Sequence, residues 1–259
     1  MRKFKIAFVV FCLLAVTAGG FAFWLSDKYV VPIMMYHNIN YTSQPLDNMV
    51  SPENFAWQMS YLKKHGYRIL SLDELVNGLR EKRSFPRKTV VITFDDGYED
   101  NYQYALPVLK KNLFPAIFFI VTETVEKPGF MSWEQIKEME KSGMVFGSHT
   151  CNHIYLPAVD ENQQHYQIQK SKEIIEENLG HPIYYFAYPV GGFTEPIKAM
   201  IRQAGYQGAC TTNRGYYRLN QNPYELKRIR FGNNDRSDLI MWFKLSGYYN
   251  LFRQLKNPN

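Results

Sequence analysis

Short apolar runs alternate with amphipathic stretches along most of this chain. The apolar runs are rich in Val, Ile, Phe and Met, which predicts buried strands, and the stretches between them have helical spacing. Because no Pro/Gly/Ser-rich linker interrupts the alternation, we predict one α/β domain whose parallel sheet closes into a barrel. The predicted strands cover residues 30–36, 67–70, 90–97, 116–122, 144–148, 183–187 and 206–211, and the predicted helices cover 51–66, 72–79, 99–112, 160–179 and 195–203, with one more beginning at 132.

Several predicted helices carry recognisable end signals. Ser51 precedes Pro52, which is typical of an N-cap followed by proline in the first turn. Ser132 and Gln135 have the spacing of a capping box, and Gly180 is placed to end the helix at 160–179. In that last helix we expect a solvated face apart from four core residues: Ile168, Ile174, Ile175 and Leu179.

The amino-terminal segment has its own pattern. A basic flank with Arg2, Lys3 and Lys5 precedes an uncharged apolar run, residues 6–25, which is long enough to span a bilayer. We therefore predict a membrane anchor at residues 1–26 and an extracytoplasmic domain at residues 27–259. The alternative is a cleaved signal peptide, for which the small residues Ala18, Gly19, Gly20 and Ala22 would supply a cleavage site.

Composition and charge narrow the class of protein. The apolar content of 46% and charged content of 21% are typical of a globular domain. The net charge of +6 suits an anionic surface such as a membrane or cell wall. Because no long block of Lys and Arg is present, nucleic acid is not an expected partner. Outside the apolar segment only Cys151 and Cys210 remain, and we predict both to be free and structural.

The first candidate site is the TFDDG motif, residues 93–97, at the end of a predicted buried strand. Two adjacent carboxylates there are costly to bury without partners. Because successive strand side chains point to opposite sides, one of Asp95 and Asp96 can hold a metal while the other faces a substrate. The alternative is a solvated turn, for which Asp-Asp-Gly is ordinary chemistry.

The second candidate site is the HTCNH motif, residues 149–153, which also follows an apolar run. With Asp96, His149 and His153 would form a two-histidine, one-carboxylate set that holds a divalent metal and leaves positions for water and substrate. Such a metal would lower the pKa of a water molecule and polarise an amide carbonyl, while Asp95 takes the proton. The alternative is a pair of polar loop histidines.

Together these motifs resemble the polysaccharide deacetylase (NodB-like) family, carbohydrate esterase family four. The resemblance covers roughly residues 30–235. It implies a distorted (β/α) barrel with a metal-dependent deacetylase site at the carboxyl ends of its strands. It assigns the metal to Asp96, His149 and His153 and the base to Asp95. It favours zinc, with cobalt, nickel or manganese left open.

Two features depart from the family pattern. Ala187 stands where the third motif has an arginine that orients the base, and no histidine after His181 supplies the fifth motif. The chain resembles in these respects the deacetylases of biofilm poly-N-acetylglucosamine, which carry the acid histidine before the TFDDG motif. That resemblance makes His37 the candidate acid, with a core histidine as the alternative. It assigns four residues to substrate binding: Tyr188, Pro189, Val190 and Arg228.

The missing arginine leaves one further assignment open. Arg228 is a candidate to replace it, although a surface or structural role fits the sequence equally well. The sequence thus predicts a metal-dependent enzyme that removes N-acetyl groups from GlcNAc residues of an extracytoplasmic polysaccharide similar to poly-N-acetylglucosamine. The alternatives are a peptidoglycan or chitin-oligosaccharide deacetylase, or a non-catalytic sugar-binding relic of the fold.

Overall fold

The computed structural model describes residues 28–41, 48–212 and 222–252, together with isolated positions among residues 1–27. The chain divides into two compact units, residues 1–30 and residues 31–259. No helix among the described residues combines the length and apolarity needed to cross a membrane. Most of the predicted apolar span at residues 6–25 lies outside the described residues.

Strands and helices alternate through the second unit as the apolar pattern predicts. The strands are β1 Ile33–Tyr36, β2 Asn38–Ile39, β3 Met49–Val50, β4 Arg68–Leu70, β5 Thr89–Phe94, β6 Ile117–Ile120, β7 Val145–Ser148, β8 Tyr185–Ala187, β9 Gly208–Thr211, β10 Leu226–Lys227 and β11 Ile229–Arg230. The helices are α1 Pro52–Lys64, α2 Leu72–Arg80, α3 Leu106–Asn112, α4 Trp133–Lys141, α5 Glu161–Leu179, α6 Glu195–Gln203 and α7 Asp238–Lys244.

The main sheet is parallel and nearly closes on itself. Its strand order is β10-β9-β8-β7-β6-β5-β1-β11, and β4 pairs with β5 beside it. The first and last strands of this order, β10 and β11, are adjacent in sequence, because only Arg228 separates them. Leu226 pairs with Cys210 at one end, and Ile229 pairs with Met34 at the other. The segment 226–230 therefore joins the two edges into a barrel of the kind that the sequence predicts.

Side chains alternate between the two faces of the sheet. Met34 and Tyr36 of β1 belong to the main hydrophobic cluster, as do Ile92 and Phe94 of β5. Because strand neighbours point to opposite faces, the residues between them point into the barrel. Met35 and Thr93 are paired in register and lie level with one another on that inner face. His37 and Asp95 follow them at the carboxyl ends of these strands, so the candidate site lies at that end.

Most end signals read from the sequence are present. Ser51 accepts a hydrogen bond from the Asn54 amide, and Ser132 forms the predicted capping box with Gln135. Gly180 ends α5 in the left-handed conformation. Cys151 and Cys210 are buried and free, as predicted.

Other elements differ from the prediction. The helix expected at 99–112 begins as a π-helical turn at Asn101–Ala105, because Pro107 has no amide hydrogen to continue an α-helical ladder. The polar residues of helix α5 are not all solvated, since Gln167 and Ser171 are buried. Strands β2, β3, β10 and β11 and helix α7 were not predicted, because they are too short to show a period.

Candidate active site

The candidate base is held by an arginine from the closing segment of the barrel. Arg228 Nη1 and Nη2 donate to the two carboxylate oxygens of Asp95, each over 2.6 Å. Arg228 Nη1 also lies 3.2 Å from Thr93 Oγ1, and its guanidinium carbon lies 5.5 Å from the centre of the Phe119 ring. The Arg228 side chain is fully buried and that of Asp95 is 2% exposed. Such a two-point contact fixes the carboxylate in position and orientation.

Electrostatics keep this carboxylate ionised. Burial by itself raises the pKa of Asp95, but the Arg228 guanidinium and the nearby His149 outweigh it and lower the pKa to about 2. Asp95 Oδ2 lies 4.0 Å from His37 Nε2 and 4.0 Å from His149 Nε2. The predicted base is therefore a charged acceptor between the candidate acid and a candidate metal ligand.

The three predicted metal ligands converge. Asp96 Oδ1 lies 3.5 Å from His149 Nε2 and 3.5 Å from His153 Nε2. One ligand atom from each residue lies within 4.8 Å of the others. Asp96 and His153 adopt positive φ angles, 74° and 61°, and Thr150 between the histidines adopts 70°. Positive φ is rare for such residues and concentrates at functional sites, and here it turns the ligands toward one point.

The donor set fits a divalent cation. Asp96 Oδ1 is buried without a hydrogen-bond partner although it faces both imidazoles, which is costly unless a cation binds there. Burial raises the pKa of Asp96 and lowers the pKa of His149 and His153, so both imidazoles are available as neutral ligands. Two imidazole nitrogens and one carboxylate suit zinc and its neighbours.

Residue 187 contributes its main chain to the site. His149 Nδ1 lies 2.7 Å from the Ala187 carbonyl oxygen, an acceptor only, so Nδ1 carries the hydrogen. The lone pair on Nε2 therefore points to the metal position, as in many metal sites. The alanine that replaces the family's arginine thus orients a predicted metal ligand through its backbone.

The loop between the histidines is held by α5. The buried Gln167 accepts hydrogen bonds through Oε1 from the Cys151 amide, over 2.9 Å, and from the Asn152 amide, over 3.3 Å. At the start of the loop, the Thr150 amide donates to Ser148 Oγ. The ligand loop is therefore fixed from both sides.

The backbone around His37 is fixed by Asp100, which precedes the π-helical turn, and by Asn101, the first residue of that turn. Asp100 accepts hydrogen bonds from the Ile39 amide and the Asn38 side chain, over 3.1 and 3.2 Å. Asn101 donates to the His37 carbonyl oxygen over 2.8 Å. Burial lowers the pKa of His37 to about 4, with Arg228 and Arg230 acting in the same direction against Asp95. His37 Nδ1 is buried without a partner.

The residues assigned to substrate binding occupy different places. Tyr188 is fully buried, with its hydroxyl 3.1 Å from the Tyr224 carbonyl oxygen, and Pro189 is buried beside it. Val190 is 66% exposed, with φ of 58°. Because Tyr188 and Arg228 are buried, they are placed to support the site rather than to contact a polymer. Of this group, Val190 is the exposed residue.

Sequence reasoning missed four residues that shape the site: Tyr98, Asp100, Asn101 and Gln167. Tyr98 makes a side-chain hydrogen bond to Asp96, and burial raises its pKa, so the hydroxyl keeps its proton. Tyr98, Asp100 and Asn101 closely follow the TFDDG motif, and that proximity was the available signal. No sequence signal marked Gln167, because a glutamine on a polar helix is typical of a solvated face.

Comparison with known proteins identifies the family of this chain. The polysaccharide deacetylase family model matches residues 82–209. YxkH of Bacillus subtilis (strain 168), named as a candidate polysaccharide deacetylase, is 34% identical over 200 residues, 77% of this chain and 71% of that protein. The poly-beta-1,6-N-acetyl-D-glucosamine N-deacetylase of Staphylococcus aureus (strain MSSA476) is 30% identical over 205 residues, 74% of this chain and 70% of that protein.

A solved structure shows the same architecture. The Streptococcus pyogenes deacetylase PplD, solved in complex with acetate, aligns with a TM-score of 0.73 and 31% identity. The alignment covers 79% of this chain and 93% of that one. This chain therefore belongs to the polysaccharide deacetylase family, a family of deacetylase hydrolases.

Proposed function

We propose that this protein is a metal-dependent hydrolase that removes N-acetyl groups from GlcNAc residues of an extracytoplasmic polysaccharide of the poly-β-1,6-N-acetylglucosamine type. The observation that carries the proposal is the adjacency of two carboxylates with different partners. Asp95 is paired with Arg228, and Asp96 faces two imidazoles. The name of the Staphylococcus aureus relative supports the polymer type.

The chain's own residues divide the work of amide hydrolysis. Asp96, His149 and His153 would hold the cation, which when bound lowers the pKa of a water molecule and polarises the acetamido carbonyl. Asp95, held charged by Arg228, accepts a proton as the water attacks. His37 lies 4.0 Å from Asp95 and delivers a proton to the departing amine. Because its pKa lies near 4, His37 is neutral at pH 7, and the proton that it delivers is the one that Asp95 took from the water and passes on to it.

The location is part of the same proposal. The uncharged run at residues 6–25 follows a basic flank, which supports a membrane anchor with the barrel outside the cytoplasm. Fractionation of intact cells, with protease added from outside, tests it. Barrel that stays membrane-bound and is cleaved by the protease fits an anchor, whereas mature protein free in the medium fits a cleaved signal peptide.

Acetate release tests the function directly. Purified protein is assayed on β-1,6-linked GlcNAc oligomers, chitin oligomers and peptidoglycan fragments, each with added zinc, cobalt, nickel or manganese. We expect the β-1,6-linked oligomers to react fastest, and the His149→Ala, His153→Ala double variant to be inactive. Faster release from chitin or peptidoglycan would reassign the polymer. Absence of release from every GlcNAc polymer would contradict the enzyme proposal.

A further inference from the structure

A second arginine of the closing segment lies near the carboxyl end of the barrel, by its strand register. Arg230 follows Arg228 by two residues on the closing segment, and the flanking Ile229 and Phe231 belong to the outer hydrophobic cluster. Arg228 and Arg230 therefore share the inner face. Arg230 is level with Met35, two residues before His37, so it lies nearer the carboxyl end than Arg228. Its charge contributes to lowering the pKa of His37, which agrees with this position.

Arg230 lacks a counter-charge among the described residues. Its side chain is partly buried, and its Nε is buried without a hydrogen-bond partner. The nearby carboxylates have other roles. Asp95 is paired with Arg228, Asp96 faces the two metal-ligand histidines, and Asp100 binds the backbone around His37. A partly desolvated guanidinium without a carboxylate is costly, which makes Arg230 a candidate to act on the charge of a ligand.

The reaction itself makes charge important at this place. Hydrolysis breaks the amide C–N bond and forms a C–O bond from water, which releases acetate and leaves a primary amine on the sugar. Such an amine is largely protonated near neutral pH. A partly deacetylated polymer therefore places a protonated amine near Arg230, whereas a fully acetylated polymer does not.

We infer that Arg230 makes the enzyme discriminate between substrates by the charge on the sugar next to the reacting one. It accepts neutral or acidic sugars and disfavours a free amine, so that the enzyme leaves spaced rather than contiguous amines. This inference rests on the proposed function. Two like charges about 7–10 Å apart near a protein surface change a rate on the order of tenfold. Specificity of this kind comes from the repulsion of the wrong partner.

The test compares two substrates. One is a fully acetylated β-1,6-linked GlcNAc pentamer, and the other has a single free amine at a defined neighbouring position. For the wild-type protein we expect acetate release to be on the order of tenfold faster with the first. Arg230→Gln should bring this ratio close to one, Arg230→Lys should keep it, and Arg230→Glu should reverse it. High salt should shrink the wild-type ratio and leave the Arg230→Gln ratio unchanged.

Controls separate the possible failures. Arg236→Gln removes an exposed arginine from the loop that follows the same strand, and its ratio should equal that of the wild type. Circular dichroism establishes folding for each variant, and Arg230→Lys remains informative if Arg230→Glu does not fold. A wild-type protein that releases acetate with the same ratio as Arg230→Gln overturns this inference and leaves the proposed function standing. A wild-type protein that releases no acetate from the fully acetylated pentamer overturns the proposed function itself.

Discussion

The carboxylate of Asp95 is held in position by one residue that lies 133 positions further along the chain. The family pattern places an arginine near residue 187, and this chain has alanine there. Arg228 reaches the same carboxylate from the segment that closes the barrel. A bidentate arginine can thus be supplied from another strand, because what the carboxylate requires is the geometry of the contact rather than its origin in sequence.

The Asp95–Arg228 pair can be dissected by substitution. Asp95→Asn should keep the metal and reduce deacetylation by about 100- to 10,000-fold, because the proton acceptor is lost. It should also lower the free energy of unfolding by about 3–5 kcal/mol, since Arg228 stays buried without its partner. Activity, metal content and urea unfolding measure these three effects.

A double variant completes this prediction. Asp95→Asn combined with Arg228→Met removes both charges, so it should cost less stability than the sum of the single variants. Loss of the metal in Asp95→Asn would contradict the separation between base and ligands. Strictly additive stability changes would contradict the pairing.

The pH dependence of stability follows from His37 and Asp95. Between pH 6.5 and about 4 the unfolded chain takes up a proton on His37 and the folded protein does not. The free energy of unfolding therefore decreases as the pH is lowered through this range. His37 contributes at most about 3 kcal/mol over that window. Below pH 3.8, Asp95 adds a further loss, because it stays ionised in the folded state down to about pH 2.

Urea unfolding of metal-free protein at several pH values measures this dependence. His37→Gln should flatten the slope between pH 6.5 and 4 without removing it, because the pKa values of His149 and His153 are also lowered on folding. An unchanged slope in His37→Gln would show that His37 takes up its proton equally in both states.

At the scale of elements, helix α5 holds the metal-ligand loop through one side chain. Gln167 should therefore affect metal binding although it touches no metal. Gln167→Leu leaves the Cys151 and Asn152 amides without their acceptor, which should cost about 1–3 kcal/mol of stability and about 10-fold in metal affinity. Titration with zinc and thermal unfolding measure both effects.

The same helix offers a matched control. Gln169 is exposed two residues further along, so Gln169→Leu should leave both quantities within error of the wild type. If Gln167→Leu lowers stability but leaves metal affinity unchanged, the loop keeps its conformation without this contact. The predicted positioning role would then be wrong.

How far sequence reasoning succeeded depended on the element. Strand β5 and the helices with caps were predictable, because buried β-branched runs and end signals such as the Ser132 box are local. The role of Gln167 was not predictable, since its partners are amides of a loop that comes near helix α5 only in the folded barrel. The π-helical turn at Asn101–Ala105 is not predictable in this way, because proline is also common in the first turn of an ordinary α-helix.

At the scale of the whole molecule, the closure of the barrel assembles the site. The TFDDG motif covers the end of β5, and the HTCNH motif follows β7. Because β5 and β7 flank β6, topology alone brings the two motifs to one end of the barrel. The position of Arg228 was not predictable, because two-residue strands on either side of it carry no periodic signal. The ion pair forms only when the last strand returns to β1.

A bound metal should join these distant parts of the chain and stabilise the whole barrel. A ligand that binds only the folded state at 100 times its Kd adds about 2.7 kcal/mol, so chelation should lower the Tm by about 5–10 °C. His153→Ala should remove this shift at little cost to the metal-free protein, because the His153 side chain is 42% exposed. His165→Ala, which alters an exposed histidine of α5, should keep the full shift. Calorimetry with and without chelator, on protein of known metal content, makes the comparison. A full shift that persists in the His149→Ala, His153→Ala double variant would mean that the stabilising metal binds elsewhere, and the three-residue site would then have to be abandoned.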